Sequence, residues 1–189
     1  MGRGLILVRH AMPLVSEKLS SAEWRLSEHS KQDCVLLAHV LPQRLAGAVY
    51  CSNQPKTYDT ARVIGIRRSL RIEADEAFRE VDKPEEWFDD DEDYRAAVAA
   101  YLRDGGRPGW EEHAAVASRF GEGVDRALAP NPKGDLVVVN HGMALSLYLA
   151  SKAPIDLVPF WRALTFPDAW RLDLETGGLV RLFEEGIIR

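Results

Sequence analysis

Apolar positions along the chain form two kinds of pattern: short unbroken runs, and longer stretches with helical spacing. Leu5 Ile6 Leu7 Val8 is an unbroken run ending in Arg9 and His10, and Leu136 Val137 Val138 Val139 is a second, ending in Asn140, His141 and Gly142. Runs of this length and composition predict strands buried on both faces, as in the middle of a parallel sheet. A third strand is expected over Ala48 to Cys51 and a weaker one over Leu70 to Ala74.

Between these runs the spacing turns helical. Cys34, Leu37, Ala38 and Leu41 follow the i, i+3, i+4, i+7 rule, with Ser27 or Ser30 placed to cap the helix and Pro42 just past its end. Ser52 is placed to cap a helix carrying Lys56, Thr57, Thr60, Ala61 and Ile64. Further helices are predicted around Tyr94 to Leu102, over Glu111 to Leu128 with Val116, Phe120 and Val124 on one side, through Leu145 and Leu149, and over Pro154 to Leu164. Trp170, Leu172 and Leu174 then alternate, Thr176 Gly177 Gly178 makes a turn, and Leu179 to Phe183 completes a hairpin. Strands alternating with helices and closing on a hairpin predict an α/β fold. The expected form is a three-layer α/β/α sandwich with a mostly parallel central sheet and a C-terminal antiparallel hairpin at its edge.

With 189 residues and 46% hydrophobic content, the chain suits one well-buried core, and a single domain over 1–189 is expected. Within it, residues 82–109 change character: an acidic cluster at Glu85, Glu86 and Asp89 to Asp93, a short helix, and a break at Gly105, Gly106, Pro108 and Gly109. This predicts an inserted segment over the sheet edge. Asp89, Asp91 and Asp93 alternate like calcium-loop ligands, but Tyr94 and Ala100 stand where that loop needs its glycine and glutamate, which leaves a solvated acidic face.

A net charge of −5 excludes a general nucleic-acid or anionic-membrane surface, since both need a basic face. The first apolar run is too short for a signal-peptide core, and no run approaches the roughly 20 residues of a membrane helix, so a cytoplasmic protein is expected. Cys34 and Cys51 lack the spacing of a redox or metal motif and sit in apolar segments, as reduced core residues would. Cys51 adjoins Ser52, which keeps it a redox candidate. Oligomeric state leaves no trace in the sequence.

The chemistry gathers at the carboxyl ends of the two buried strands, where parallel sheets place their ligands. Neighbouring strands lie about 4.8 Å apart, so if these two are adjacent, His10 and His141 face one small volume. Arg9 adds a planar charged fork suited to phosphate or carboxylate. Lys56 and Thr60, one turn apart near a helix start, point a cation at the same volume. No carboxylate or Cys/His cluster has ligand spacing, so neither metal nor other cofactor is expected.

In these residues the chain resembles the histidine phosphatase superfamily, the phosphoglycerate mutase-like group. Leu7 Val8 Arg9 His10 Ala11 matches its opening Arg-His-Gly, Trp24 Arg25 Leu26 Ser27 its first helix start, and Ser52 to Ala61 the segment with a second basic residue. Phe78 Arg79 Glu80 matches the acidic segment and Val139 Asn140 His141 Gly142 the closing His-Gly, all in family order over residues 5–142. The resemblance implies phosphoryl transfer without metal on a small phosphorylated metabolite or a phosphoprotein. His10 would be the nucleophile, Arg9, Lys56 and His141 would hold the phosphoryl oxygens, and Glu80 would protonate the leaving oxygen, with Glu111 next in line for that role.

Departures from the family pattern matter too. Ala11 replaces a glycine, tolerable at negative φ, and Lys56 replaces an arginine. Pro13 and Ser16 stand where mutase-like members often carry threonine and asparagine, leaving Ser16 a phosphate contact with a shorter reach. Ser30 stands for a helix-start glycine. These favour a phosphatase over a phosphoglycerate mutase and leave a non-catalytic binder of phosphorylated ligands as the other class. They also predict that Lys56→Arg raises kcat/KM if the pocket has room for it.

Overall fold

The computed structural model describes residues 2–185. Its centre is a sheet of six strands. These are β1 (Gly4–Arg9), β2 (Leu45–Cys51), β3 (Arg71–Ala74), β4 (Asp135–Asn140), β5 (Asp168–Asp173) and β6 (Leu179–Glu184), in the order β3-β2-β4-β1-β5-β6. β1, β2, β3 and β4 run parallel, β5 pairs antiparallel with β1, and β6 antiparallel with β5. The two apolar runs are central neighbours, with Arg9 in register with Asn140. Alternation along each strand divides the core. Leu5, Leu7, Leu136 and Val138 pack on one face, and Ile6, Val8, Val137 and Val139 on the other.

Helices α1 (Glu28–Val40) and α2 (Pro55–Arg68) cover the Ile6 and Val8 face through Leu37, Ala38, Ala61 and Ile64. Ser27, of the two candidate serines, caps α1 by accepting the Ser30 N–H. On the opposite face lie α3 (Asp91–Asp104), α4 (His113–Leu128), α5 (Gly142–Ala150) and α6 (Leu157–Arg162). The last is shorter than expected, since Pro159 is tolerated only in a first turn. The hairpin β5–β6 forms as expected.

In the acidic segment Asp90 caps α3 and Gly105 ends it in a left-handed conformation, and Val98, Tyr101 and Leu102 are buried in the main core, where α3 packs on α6. Those side chains follow helical spacing, and an apolar stripe of that size is buried against a neighbouring layer. No helix among the described residues is long and apolar enough to cross a membrane.

Candidate active site

Strand pairing continues one residue past β1 and carries the first histidine with it: the His10 N–H donates to Asn140 O at 3.0 Å. The His10 and His141 rings meet edge to face with centroids 5.2 Å apart. His10 Nδ1 lies 2.8 Å from the carbonyl of Ala11. A carbonyl only accepts, so Nδ1 carries the proton and Nε2 presents its lone pair. Burial, followed by the charges of Lys56 and Arg9, holds the His10 pKa well below the usual histidine range, opposed by the Ala11 carbonyl. The ring is therefore neutral at pH 7. Ala11 itself is tied by its N–H to Thr60 Oγ1 at 3.2 Å. Ser69 is the non-glycine with positive φ among the described residues, so Ala11 takes the place of the family glycine without strain.

Arg9 lies against the Phe166 ring, its guanidinium carbon 3.4 Å from the centroid, and Nη1 donates to Leu164 O at 2.8 Å. Gly142 makes this placement possible, since a Cβ there would sit 3.1 Å from Arg9 Nε. Arg9 Nε is buried with no partner. Burial lowers the Arg9 pKa to about 10, against the opposing influence of Tyr94, Glu80 and Asp168. A buried cation with a free donor is a place prepared for an anion.

His141 is the N-cap residue of α5, with its Nε2 3.0 Å from Ser52 Oγ. Ser52 therefore does not cap α2, whose N-cap is Gln54 followed by Pro55. The Ser52 hydroxyl accepts the Gln54 N–H at 3.3 Å and faces the second histidine. Burial, then His10 and Lys56, keeps the His141 pKa well below the ordinary value. Lys56 is buried, its Nζ donating to Ser21 O at 2.5 Å and lying 5.6 Å from the centre of the Trp24 ring. Its pKa is lowered to about 8, chiefly by burial, with Glu80 opposing and Lys83 adding to the fall.

Glu80 reaches the same place from the segment before α3. Its Oε1 accepts the N–H groups of Val81 (2.9 Å) and Ala144 (2.8 Å), and its Oε2 that of Met143 (3.2 Å). The carboxylate thus sits on the positive end of α5, directly after His141. Ser16 is set apart. Its Oγ accepts from the Lys18 N–H, and its carbonyl takes the Trp24 indole N–H, so it reaches Lys56 only through Trp24.

Arg119, on α4, has a role that sequence reasoning missed. It donates to Ala77 O (2.7 Å), Arg79 O (3.0 Å) and Glu80 O (3.0 Å), and pairs with both Glu111 oxygens (2.7 and 2.8 Å). A cation one turn past the buried Val116 was the available signal. Glu111 is committed to this latch and also accepts the Asp82 N–H. Burial raises its pKa, but Arg119, the Asp82 N–H and Arg79 outweigh that and lower it, which removes Glu111 as the reserve acid. Arg119→Ala would leave three carbonyls without their donor and the partly buried Glu111 carboxylate with only the Asp82 N–H and Arg79 as partners. Thermal unfolding is expected to show a loss of about 3 kcal/mol, as for a broken buried ion pair, or a Tm lower by roughly 6–12 °C for a domain of this size.

One sequence expectation, for Cys51, also resolves. Burial pushes the Cys51 thiol up to about 12, so it carries no thiolate for redox chemistry at pH 7. Among the described residues, no group of three His, Cys, Asp or Glu side chains is placed to hold a metal ion.

The fold has counterparts among solved structures. A mycobacterial glucosyl-3-phosphoglycerate phosphatase matches at TM-score 0.76 and 20% identity, over 99% of this chain and 100% of that one. Its complex with inorganic phosphate matches at TM-score 0.74 and 20% identity, over 97% of each chain. Bacillus stearothermophilus YhfR matches at TM-score 0.74 and 20% identity, over 99% of this chain and 98% of that one. No curated protein matches the chain in sequence. The sequence profile of the histidine phosphatase superfamily (branch 1) matches residues 5–172, and the chain belongs to that family.

Proposed function

We propose that the protein is a metal-independent phosphatase that hydrolyses a phosphomonoester through a phosphohistidine on His10. The observation that carries this reading is the His10 ring itself: Nδ1–H is fixed on the Ala11 carbonyl, which leaves Nε2 as a neutral nucleophile beside Arg9, Lys56 and His141. In the first step Nε2 bonds to phosphorus and the ester P–O bond breaks, its electron pair and a proton from Glu80 going to the leaving alcohol. In the second, water bonds to phosphorus, its proton goes to Glu80, and the P–N bond returns its electron pair to Nε2. Free donors on Arg9 and Lys56 stabilise the charge on the equatorial oxygens. Ser52 supports His141 in the same task. With its oxygen already accepting from Gln54, its hydroxyl can donate to His141 Nε2 and so leave Nδ1–H as the donor toward phosphate.

Glu80 carries the least certain step by geometry, because all three of its contacts are ones in which it accepts. That specifically favours a second reading, a member that takes up phosphate on His10 yet releases only activated alcohols or none. Glu80→Gln separates the two. If Glu80 is the acid, kcat/KM for an alkyl phosphate, which reads the reaction only as far as release of the alcohol, falls about 100-fold, while kcat/KM for a nitrophenyl ester, whose leaving group needs no proton, is nearly unaffected. Equal losses on both would place the acid elsewhere. A wild type that forms the adduct from nitrophenyl phosphate but releases no alkyl alcohol would establish the second reading.

A further inference from the structure

The loop between β1 and α1 leaves the site at Ala11, bonded to Thr60, and returns to it at Ser21, whose carbonyl takes the Lys56 ammonium. Between those anchors Met12, Leu14, Val15 and Leu19 are 45, 60, 52 and 49% exposed. Single exposed apolar residues are ordinary, but four on one short loop pinned at both ends to one pocket form a patch. The loop holds them there by its own bonds: Leu14 N–H to Arg25 O at 2.8 Å, and the Trp24 indole to Ser16 O at 3.1 Å and Leu19 O at 3.2 Å.

The acidic segment meets the same loop. Ser20 donates to Glu85, which sets the acidic segment against the loop. There Trp87 is half exposed, with its indole N–H turned to Asp89 at 3.1 Å. Next to it Phe88 packs on Tyr94, with ring centroids 5.6 Å apart, and the Tyr94 phenol lies in the electrostatic field of both Glu80 and Arg9. The loop and the acidic segment thus both bring apolar side chains to the neighbourhood of the site.

Arg95, Arg107 and Arg162 are each paired, with Asp91, Glu86 and Glu92. Arg9 and Lys56 are needed by the phosphoryl group, which leaves the alcohol to the apolar side chains of the loop.

From this we propose that the substrate is a phosphomonoester whose alcohol is apolar, alkyl or aryl. The proposal rests on the phosphatase reading and names its substrate class. The probes are hexyl phosphate, glycerol 3-phosphate and 3-phosphoglycerate, which share an unactivated alkoxide leaving group and differ in the polarity and charge of the alcohol. Steady-state kcat/KM should fall in that order by about tenfold per step. In a Leu14→Ser, Leu19→Ser double variant the ratio of hexyl phosphate to glycerol 3-phosphate should drop about tenfold, toward unity, the loss expected for roughly 60 Å² of apolar contact. Preference for 3-phosphoglycerate, or an unchanged ratio in the double variant, overturns the proposal. If the double variant instead loses co-sedimentation with phosphatidylcholine vesicles while the ratio holds, the rim serves a lipid surface and the proposal also falls. Calorimetric Kd values for the three esters on His10→Ala read the rim without chemistry. The same order of affinity with no wild-type turnover removes the phosphatase reading and keeps the ligand class, whereas turnover without that order removes the class alone.

Discussion

His10→Ala is expected to lower kcat/KM by about 10⁴-fold or more, the scale seen when a covalent nucleophile is deleted from an otherwise intact site. Incubation with phosphorus-labelled ester, followed by acid or alkali, should show a base-stable, acid-labile adduct on the wild type and none on the variant. His10 is buried between Phe166 and His141, so the alanine also leaves a small void. Phosphate affinity measured on the variant separates the causes, because Arg9 and Lys56 should still bind the anion if the site is intact. Retention of a tenth of the wild-type activity by a folded variant would reject His10 as the nucleophile. His141→Ala should behave differently, slowing turnover while some adduct still forms, since its part is to hold an oxygen.

How much of this was legible in the sequence depends on whether a residue's neighbours lie along the chain or across it. The strands were legible because Leu5 to Val8 and Leu136 to Val139 are buried on both faces, and such burial leaves an unbroken apolar run. Arg9, His10 and His141 were legible as residues at the ends of those runs, and their adjacency followed from strand order. Ser52 was noticed for its place before a helix, a local property, but its bond to His141 crosses from β2 to β4 and has no local trace. Arg119 is the clearest case. Its five bonds go to residues up to 42 positions away, so its one local sign, a cation one turn past the buried Val116, says nothing of the groups it joins. Phe166 holds Arg9 from a loop that pattern reading passes over. The helix over Tyr94 to Leu102 was legible from its apolar spacing, but that it packs on α6 has no local trace.

Lys56 gives the second large effect. A cation fixed on a transferring phosphoryl group is worth 10²–10³-fold or more, so Lys56→Met should cut kcat/KM by about 10³-fold with little change in secondary structure. The pocket does not have the room that would make arginine an improvement: the Lys56 ammonium already meets Ser21 O at 2.5 Å beside the Trp24 ring, and a longer planar group would displace the loop that carries both. Lys56→Arg is therefore expected to lower kcat/KM, which makes the lysine an adaptation of this site to a compact point charge. The pH profile gives an independent check. Burial lowers the Lys56 pKa to about 8, and only the charged form serves the transition state, so kcat/KM should fall as pH rises through about 8. Bound phosphate favours the ammonium, so the corresponding limb of kcat should lie higher. Stability should move the opposite way. A lysine whose folded pKa lies below its unfolded value imposes its full cost below the folded pKa, and loses that cost as pH rises toward the unfolded one. Between about pH 8 and the ordinary lysine pKa, the wild type should thus gain stability relative to Lys56→Met while it loses activity. If both fall together over that range, Lys56 is not the group that titrates.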